Sequence, residues 1–414
     1  MRKGHYAWAI CFAGALLIFI TMGIVSNGFS IFLPYLRDDY GLTNAQTSTL
    51  ITVRLVMNFV SLLFIGFYYD RFNIRLGATI SVGFAVAGFF MYSFARSYPG
   101  FLIAAAVAGL AYGLGSMVPV SILMNRWFHR HKALAISLCS AGSGVGSILV
   151  PPVITGLMSV MSLSQVFRLL AFFMLAGMIA IFLIIRNDPR DVGLERYGEY
   201  HAGLKEAAAN LTKAVPDKGP MPYAVMAIAC LSCFLGGAQG NPGMSHIAVC
   251  YNSAGFSTVF CATLMSVIGI ALTVGKIGLG ELTDKVGSYR STIVFSSILI
   301  VGNILTSLAG VAGRLGGSQG AILAIAAVFV LGIGYSLTTI GPAIWAGYLA
   351  SEMDFARVLR SFQLWYAFGG LVMATVPGIM ADRFGGSYVP AFILFTVLSV
   401  AASVLMVVAY RKRG

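Results

Sequence analysis

Val274–Arg290 reads VGKIGLGELTDKVGSYR, and far upstream Gly66–Arg75 reads GFYYDRFNIR. Each stretch leaves a hydrophobic run and ends in a charged turn. In each, a glycine stands four residues ahead of an Asp followed by a basic residue. These are Gly66, Asp70 and Arg71 in the first, and Gly280, Asp284 and Lys285 in the second. Arg75 and Arg290 close the two turns. The same helix-to-loop device thus occurs twice, and the second copy has Lys276 inside its apolar run.

The composition says what kind of chain carries these devices. Hydrophobic residues make up 58% and charged residues 10%, with a mean hydropathy of +0.87. Soluble domains hold about 25% charged residues. So much apolar surface predicts a polytopic membrane protein. Spanning the hydrocarbon core takes roughly 20 apolar residues, and twelve such segments are present. In the first half they are 7–33, 45–69, 76–95, 99–123, 133–158 and 165–185. In the second half they are 223–250, 257–282, 291–312, 320–348, 356–380 and 388–410. They are called spans 1 to 12 below. The run after Arg2 and Lys3 is longer than a signal-peptide core and reads as a retained first helix.

Residues 1–186 are predicted to form one six-helix bundle and residues 223–414 a second, joined by a polar linker at 187–222. A short surface helix is expected near 203–213. The Gly-Asp-basic device ends span 2 and span 8, which are equivalent positions in the two halves. A parallel repeat of this kind predicts a substrate site at the interface of the halves, near the midplane.

Charge placement sets orientation and excludes a partner. The net charge is +13, but the basic residues lie in short loops rather than in one patch. With the N-terminus inside, 20 of the 27 Lys and Arg fall on the inner side, 5 on the outer side, and Arg54 and Lys276 within spans. The positive-inside rule then predicts cytoplasmic termini and linker. The basic balance needs no nucleic acid to explain it. Cys230 and Cys233 form a C-x-x-C inside an apolar helix, without the second pair or His of a zinc site. No nucleotide-binding GxxxxGK[ST] is present, so no cofactor and no metal is expected, and a gradient is the expected driving force.

The loops GFYYDRFNIR and GELTDKVGSYR resemble the signature of the major facilitator superfamily after helices 2 and 8. Three further stretches resemble its monocarboxylate transporter and oxalate–formate antiporter group. They are NRWFHRHKALAISLCSAGSGVGSILVPP (125–152), Lys276 where that group commonly carries a helix 8 arginine, and PGIMADRFGGSYVPAF (377–392). The resemblance implies a twelve-helix secondary transporter working by alternating access, not an enzyme. There are departures: Asn27 stands where a helix 1 Lys is usual, Leu272 where an Asp is usual, and Tyr366 or a neighbour where oxalate exchangers have a Lys.

The residues themselves point to an anion. A cation at membrane depth costs about 2.5–3.5 kcal/mol on insertion scales, so it faces a cavity or snorkels to an interface. Lys276 is the first such group. Arg54 is the second, on a polar stripe with Thr47, Asn58 and Ser61. Its alternative is a structural contact to backbone carbonyls of a neighbouring helix. No Asp or Glu falls in the interior of any span, so the counter-charge is expected from a ligand: a small carboxylate such as lactate or oxalate. Asn27, Tyr112, Gln239, Asn241, Tyr335, Gln363 and Tyr366 are the further candidate binding residues, with helix–helix hydrogen bonding as the alternative. His246 is the one His in a span. Proton symport or anion exchange would drive a monomeric carrier in the plasma membrane. The loop residues Gly66, Asp70, Arg71, Arg75, Gly280, Asp284, Lys285 and Arg290 are candidates for gating, with topology anchoring as the alternative. Pro242 is expected to break span 7, and Pro151 with Pro152 to kink span 5. The competing functions are a carrier of a drug or sugar, and an anion receptor.

Overall fold

The computed structural model describes residues 5–198, 219–315 and 318–413. The helix expected near 203–213 lies outside these residues. Among the described residues, twelve helical segments are long and apolar enough to cross a membrane. They are Tyr6–Asn27, Thr49–Arg71, Ile74–Phe94, Tyr98–Trp127, Lys132–Met158 and Leu163–Ile184, then Tyr223–Ser253, Phe260–Val286, Ser288–Gly313, Gln319–Leu349, Phe355–Arg383 and Val389–Arg413. They match the twelve predicted spans in order.

Polar residues start several of them. Thr43 and Gln46 form a reciprocal capping box ahead of span 2, and Ser162 with Gln165 does the same ahead of span 6. Asn73 accepts from the Leu76 N–H at the start of span 3, and Ser257 from Phe260 at the start of span 8. Each cap satisfies an orphan donor that hydrocarbon could not.

The chain divides into two compact units, Met1–Pro216 and Asp217–Gly414. Within the first, span 2 packs on span 4, span 3 on spans 4 and 6, and span 1 on spans 5 and 6. Within the second, span 8 packs on span 10, span 9 on spans 10 and 12, and span 7 on spans 11 and 12. Adding six to each number of the first set gives the second. The repeat seen in two loops therefore extends to the packing of both bundles.

Polar ties follow the same pairs. Tyr6 donates to the Ile184 carbonyl at 2.9 Å, linking spans 1 and 6. Ser232 donates to the Ala402 carbonyl at 2.7 Å, linking spans 7 and 12.

Several spans are less regular than their sequences suggest. Span 1 is α-helical only from His5 to Ile18, then π-helical over Phe19–Asn27 and 3-10 over Gly28–Ile31. Span 4 breaks into Tyr98–Leu114 and Met117–Trp127 around Gly115 and Ser116. Span 11 breaks into Phe355–Met373 and Val376–Arg383, ahead of Pro377. Conversely, Pro242 does not break span 7, which is one helix from Tyr223 to Ser253. Span 5 likewise runs through Pro151 and Pro152. Neighbouring helices and side chains compensate for a missing N–H in a membrane helix.

The start of the predicted linker is not a free connector. Tyr197 forms an isolated parallel bridge with Phe128, and its N–H donates to the Trp127 carbonyl at 2.8 Å. The rings of Trp8 and Phe128 lie 5.7 and 5.5 Å from that of Tyr197. Residues 186–198 thus fold back onto the loop joining spans 4 and 5.

Candidate functional site

Arg54 and Lys276 are the two charged side chains buried among the described residues, at 6% and 2% exposure. One belongs to each unit, and both had been singled out by their place in apolar runs.

In the first unit, Arg54 is held by its backbone and its side chain. Span 4 presses glycine against it: a Cβ built on Gly109 would lie 2.7 Å from the Arg54 carbonyl oxygen. The guanidinium turns toward span 1. Nη1 donates to the carbonyl of Val25, inside the π-helical segment. Cζ lies 3.9 Å over the centroid of the Phe29 ring, a cation–π contact. Nε has no hydrogen-bond partner, and neither has the hydroxyl of buried Tyr92. The Tyr92 and Tyr112 phenols both lie within electrostatic reach of the guanidinium. The contact to a neighbouring carbonyl therefore exists, and it leaves one donor of the guanidinium unused.

The rest of the predicted stripe behaves differently. Ser61 donates to the Met57 carbonyl at 2.7 Å, a bond within its own helix. Asn58 is half-buried, with its carbonyl oxygen against Gly113. Asn27 is exposed and donates to Ser147 at 2.7 Å, tying span 1 to span 5.

In the second unit, Gly275 brings span 8 against span 10; a Cβ there would meet the Ile333 carbonyl oxygen at 2.8 Å. Lys276 is the next residue and takes part in contacts of its own. Three predicted polar residues carry unsatisfied buried atoms: Gln239 Oε1, Tyr335 OH and Gln363 Nε2. Tyr366 donates to Asn241 Oδ1 at 3.5 Å, a long bond. Gln239 and Tyr366 also line a small cavity with Ser296, Thr338, Ser399 and Ser403 and with the apolar Leu299, Leu337, Trp345, Ala402 and Met406. Its lining holds hydroxyls and an amide but no charge. His246 Nδ1–H donates to the Pro242 carbonyl at 2.8 Å, and its ring stacks on Tyr388 at 5.7 Å.

The candidate gating loops lie at helix ends. Asp70, Arg71, Asp284, Lys285 and Arg290 are exposed. Arg75 is engaged inside its own unit: Nε donates to the Phe182 carbonyl at 2.8 Å, and Cζ lies 4.1 Å over the Phe182 ring. Its N–H donates to Asn187 at 2.9 Å. Gly66 is half-buried and Gly280 buried. Lys285 pairs with Glu281 at 2.6 Å, one turn earlier on the same exposed face. Just past the second loop, Ser288 and Tyr410 share a hydrogen bond. The first loop thus ties span 3 to span 6, and the second ties span 9 to span 12.

A family model, Major Facilitator Superfamily, matches residues 12–351. The chain belongs to that superfamily. An MFS-type transporter of Gibberella moniliformis is 22% identical over 360 residues, covering 84% of this chain and 78% of its own. Monocarboxylate transporter 12 of Mus musculus is 23% identical, covering 97% of this chain and 85% of its own. Among solved structures, the proton:xylose symporter XylE matches with a TM-score of 0.72 at 14% identity, covering 98% of this chain and 96% of that one. That last likeness speaks to the fold alone. This member of the major facilitator superfamily is a multi-pass membrane transporter of small solutes and not an enzyme.

In this superfamily member, sequence reasoning missed Val25, Phe29 and Tyr92. Val25 contributes only a backbone carbonyl, which no side-chain pattern reports. Phe29 and Tyr92 look like core aromatics, and they do pack in one, with ring centroids 5.1 Å apart. The available signal was the cluster Gly23, Ser26, Asn27 and Gly28, which weakens the α-helical ladder where the π segment forms.

Proposed function

We propose that this superfamily member moves small organic carboxylates, monocarboxylates such as lactate or small dicarboxylates such as oxalate. Its driving force is proton symport or exchange of one anion for another in the plasma membrane. The observation that carries this reading is that both charged side chains buried among the described residues are cations, Arg54 and Lys276. A charge at membrane depth is expensive, and it is kept where it meets a substrate or ion. Arg54 suits a carboxylate because its planar fork matches the two oxygens. Lys276, in the second unit, is a compact cation of the kind that binds a carboxylate oxygen. The unsatisfied hydroxyl of Tyr335 and amide of Gln363 are donors of the type a carboxylate accepts. The relation to a monocarboxylate transporter supports the same class.

A second reading rests on the cavity in the C-terminal unit. Its lining is uncharged and largely apolar, with Leu299, Leu337, Trp345 and Met406 beside Gln239 and Tyr366, which suits a neutral solute rather than an anion. Thermal unfolding of the purified protein separates the two. Stabilisation by lactate or oxalate, lost in Arg54→Gln and Lys276→Gln, supports the carboxylate. Stabilisation by a pentose with no response to either anion supports the neutral solute.

A further inference from the structure

Among the described residues, span 1 is the span that leaves the α-helical ladder for nine consecutive residues, Phe19–Asn27, and then tightens into a 3-10 turn, Gly28–Ile31. The Gly28 N–H reaches back five residues to the Gly23 carbonyl, the signature of π winding. Both irregular segments are gripped by one side chain. Arg54 donates to Val25 in the π segment and covers the ring of Phe29 in the 3-10 turn. Its own backbone is immobilised against Gly109. Two buried donors beside this grip have no acceptor: Arg54 Nε and the hydroxyl of Tyr92, whose ring packs on Phe29. Buried polar groups are nearly always satisfied, so each exception calls for an explanation.

We propose that Arg54 is a latch on the π-helical segment of span 1, released when an anion competes with the Val25 carbonyl for the guanidinium. This rests on the carboxylate reading above. With no anion present, the bond to Val25 and the cation–π contact to Phe29 hold the segment in its wide winding. A carboxylate approaching Nε and the Tyr92 hydroxyl offers a charged acceptor in place of a neutral one, and charge-assisted bonds are roughly twice as strong. The guanidinium turns toward it. The Val25 carbonyl is then free to accept from the Phe29 N–H four residues on, which returns the segment to the α ladder. Rewinding rotates Phe29 and the turn beyond it about the helix axis. Arg54 both takes the anion and acts on span 1 in this step: it converts arrival of charge into a change in the winding of span 1.

The test is hydrogen exchange on the reconstituted full-length protein, following a peptide across 19–31 and a reference peptide from span 3. It is run on the wild type, Arg54→Gln and Arg54→Lys, each with and without oxalate and lactate. Without anion, Arg54→Gln frees the Val25 carbonyl to accept from Phe29, so exchange at 19–31 is expected to slow roughly tenfold, while span 3 is unchanged. In the wild type, the anion changes exchange at 19–31; in Arg54→Gln it does not. Arg54→Lys, which keeps the charge but loses the fork, is expected to raise KM and lower turnover about tenfold, and to keep less of the anion response at 19–31 than the wild type. A residue with only a structural role would not make exchange at 19–31 depend on the anion. If an anion stabilises the wild type thermally yet leaves exchange at 19–31 unchanged, the latch is wrong and the carboxylate reading stands. If Arg54→Gln exchanges like the wild type, the latch is wrong in its resting state. If no carboxylate stabilises the wild type, both readings fall.

Discussion

A Cβ built on Gly142 would lie 2.3 Å from the carbonyl oxygen of Ala15, so spans 1 and 5 touch backbone to backbone. Spans 7 and 11, the equivalent pair, do the same: a Cβ on Gly237 would lie 1.8 Å from the Tyr366 carbonyl oxygen. Without a hydrophobic driving force in lipid, such close approach is what holds membrane helices together. Gly142→Ala is therefore expected to cost about 1–3 kcal/mol, the range for overpacking. It should appear as a lower melting temperature of the purified protein. Gly156, on the same helix with nothing within 4 Å of its Cβ position, is the control, and Gly156→Ala should leave the melting temperature unchanged or raise it.

The same seam carries a chemical reporter. The Sγ atoms of Cys11 and Cys139 lie 3.6 Å apart, both buried. Diamide, whose azo group takes up two hydrogens, is expected to join them: two thiols lose their protons and one S–S bond forms. Peptide mapping should recover one cross-link, and Cys11→Ser should abolish it. A failure to cross-link would mean spans 1 and 5 are not packed as described.

Much of this architecture could be read from the sequence, because hydrophobic length and loop charge respond directly to the bilayer. Twelve apolar runs gave twelve spans, and the paired Gly-Asp-basic loops announced a repeat that the packing of both bundles bears out. Arg54 and Lys276 were visible for the same reason: a charge in an apolar run needs an explanation. What the sequence hid were backbone events. The Val25 carbonyl under Arg54 and the break at Gly115 depend on tertiary contacts and have no side-chain signature, and the π segment at Phe19–Asn27 is marked only by Gly23, Ser26, Asn27 and Gly28. Pro242 misled in the opposite direction, since it sits in an uninterrupted helix.

Arg75 separates anchoring from gating. Its bonds to the Phe182 carbonyl and ring lie within one unit. Arg75→Ala should lower stability by about 2–4 kcal/mol, the worth of a charged hydrogen bond and an exposed cation–π contact. Transport by the protein that remains folded should keep its KM. A change in KM without a change in melting temperature would instead favour a gating role.

Lys276 is expected to matter for transport more than for folding. A hydrogen bond to a charged group is worth about 1.5–3 kcal/mol, and each 1.4 kcal/mol is tenfold in affinity. Lys276→Gln should therefore weaken carboxylate uptake by roughly 10- to 100-fold. Lys276→Arg, which keeps the charge, should retain more uptake than Lys276→Gln. Equal loss in both variants, with both proteins folded, would mean the site requires the ammonium's size and not its charge.

The central claim is that the solute is a small carboxylate, and uptake of labelled lactate and oxalate into proteoliposomes tests it most directly. Each anion is offered with an inward proton gradient and, separately, with unlabelled anion inside. The account predicts uptake of at least one anion above protein-free liposomes, driven by one of the two gradients and reduced in Arg54→Gln and Lys276→Gln. Uptake of neither anion under either gradient, by protein that still takes up a neutral solute such as a pentose, would contradict it.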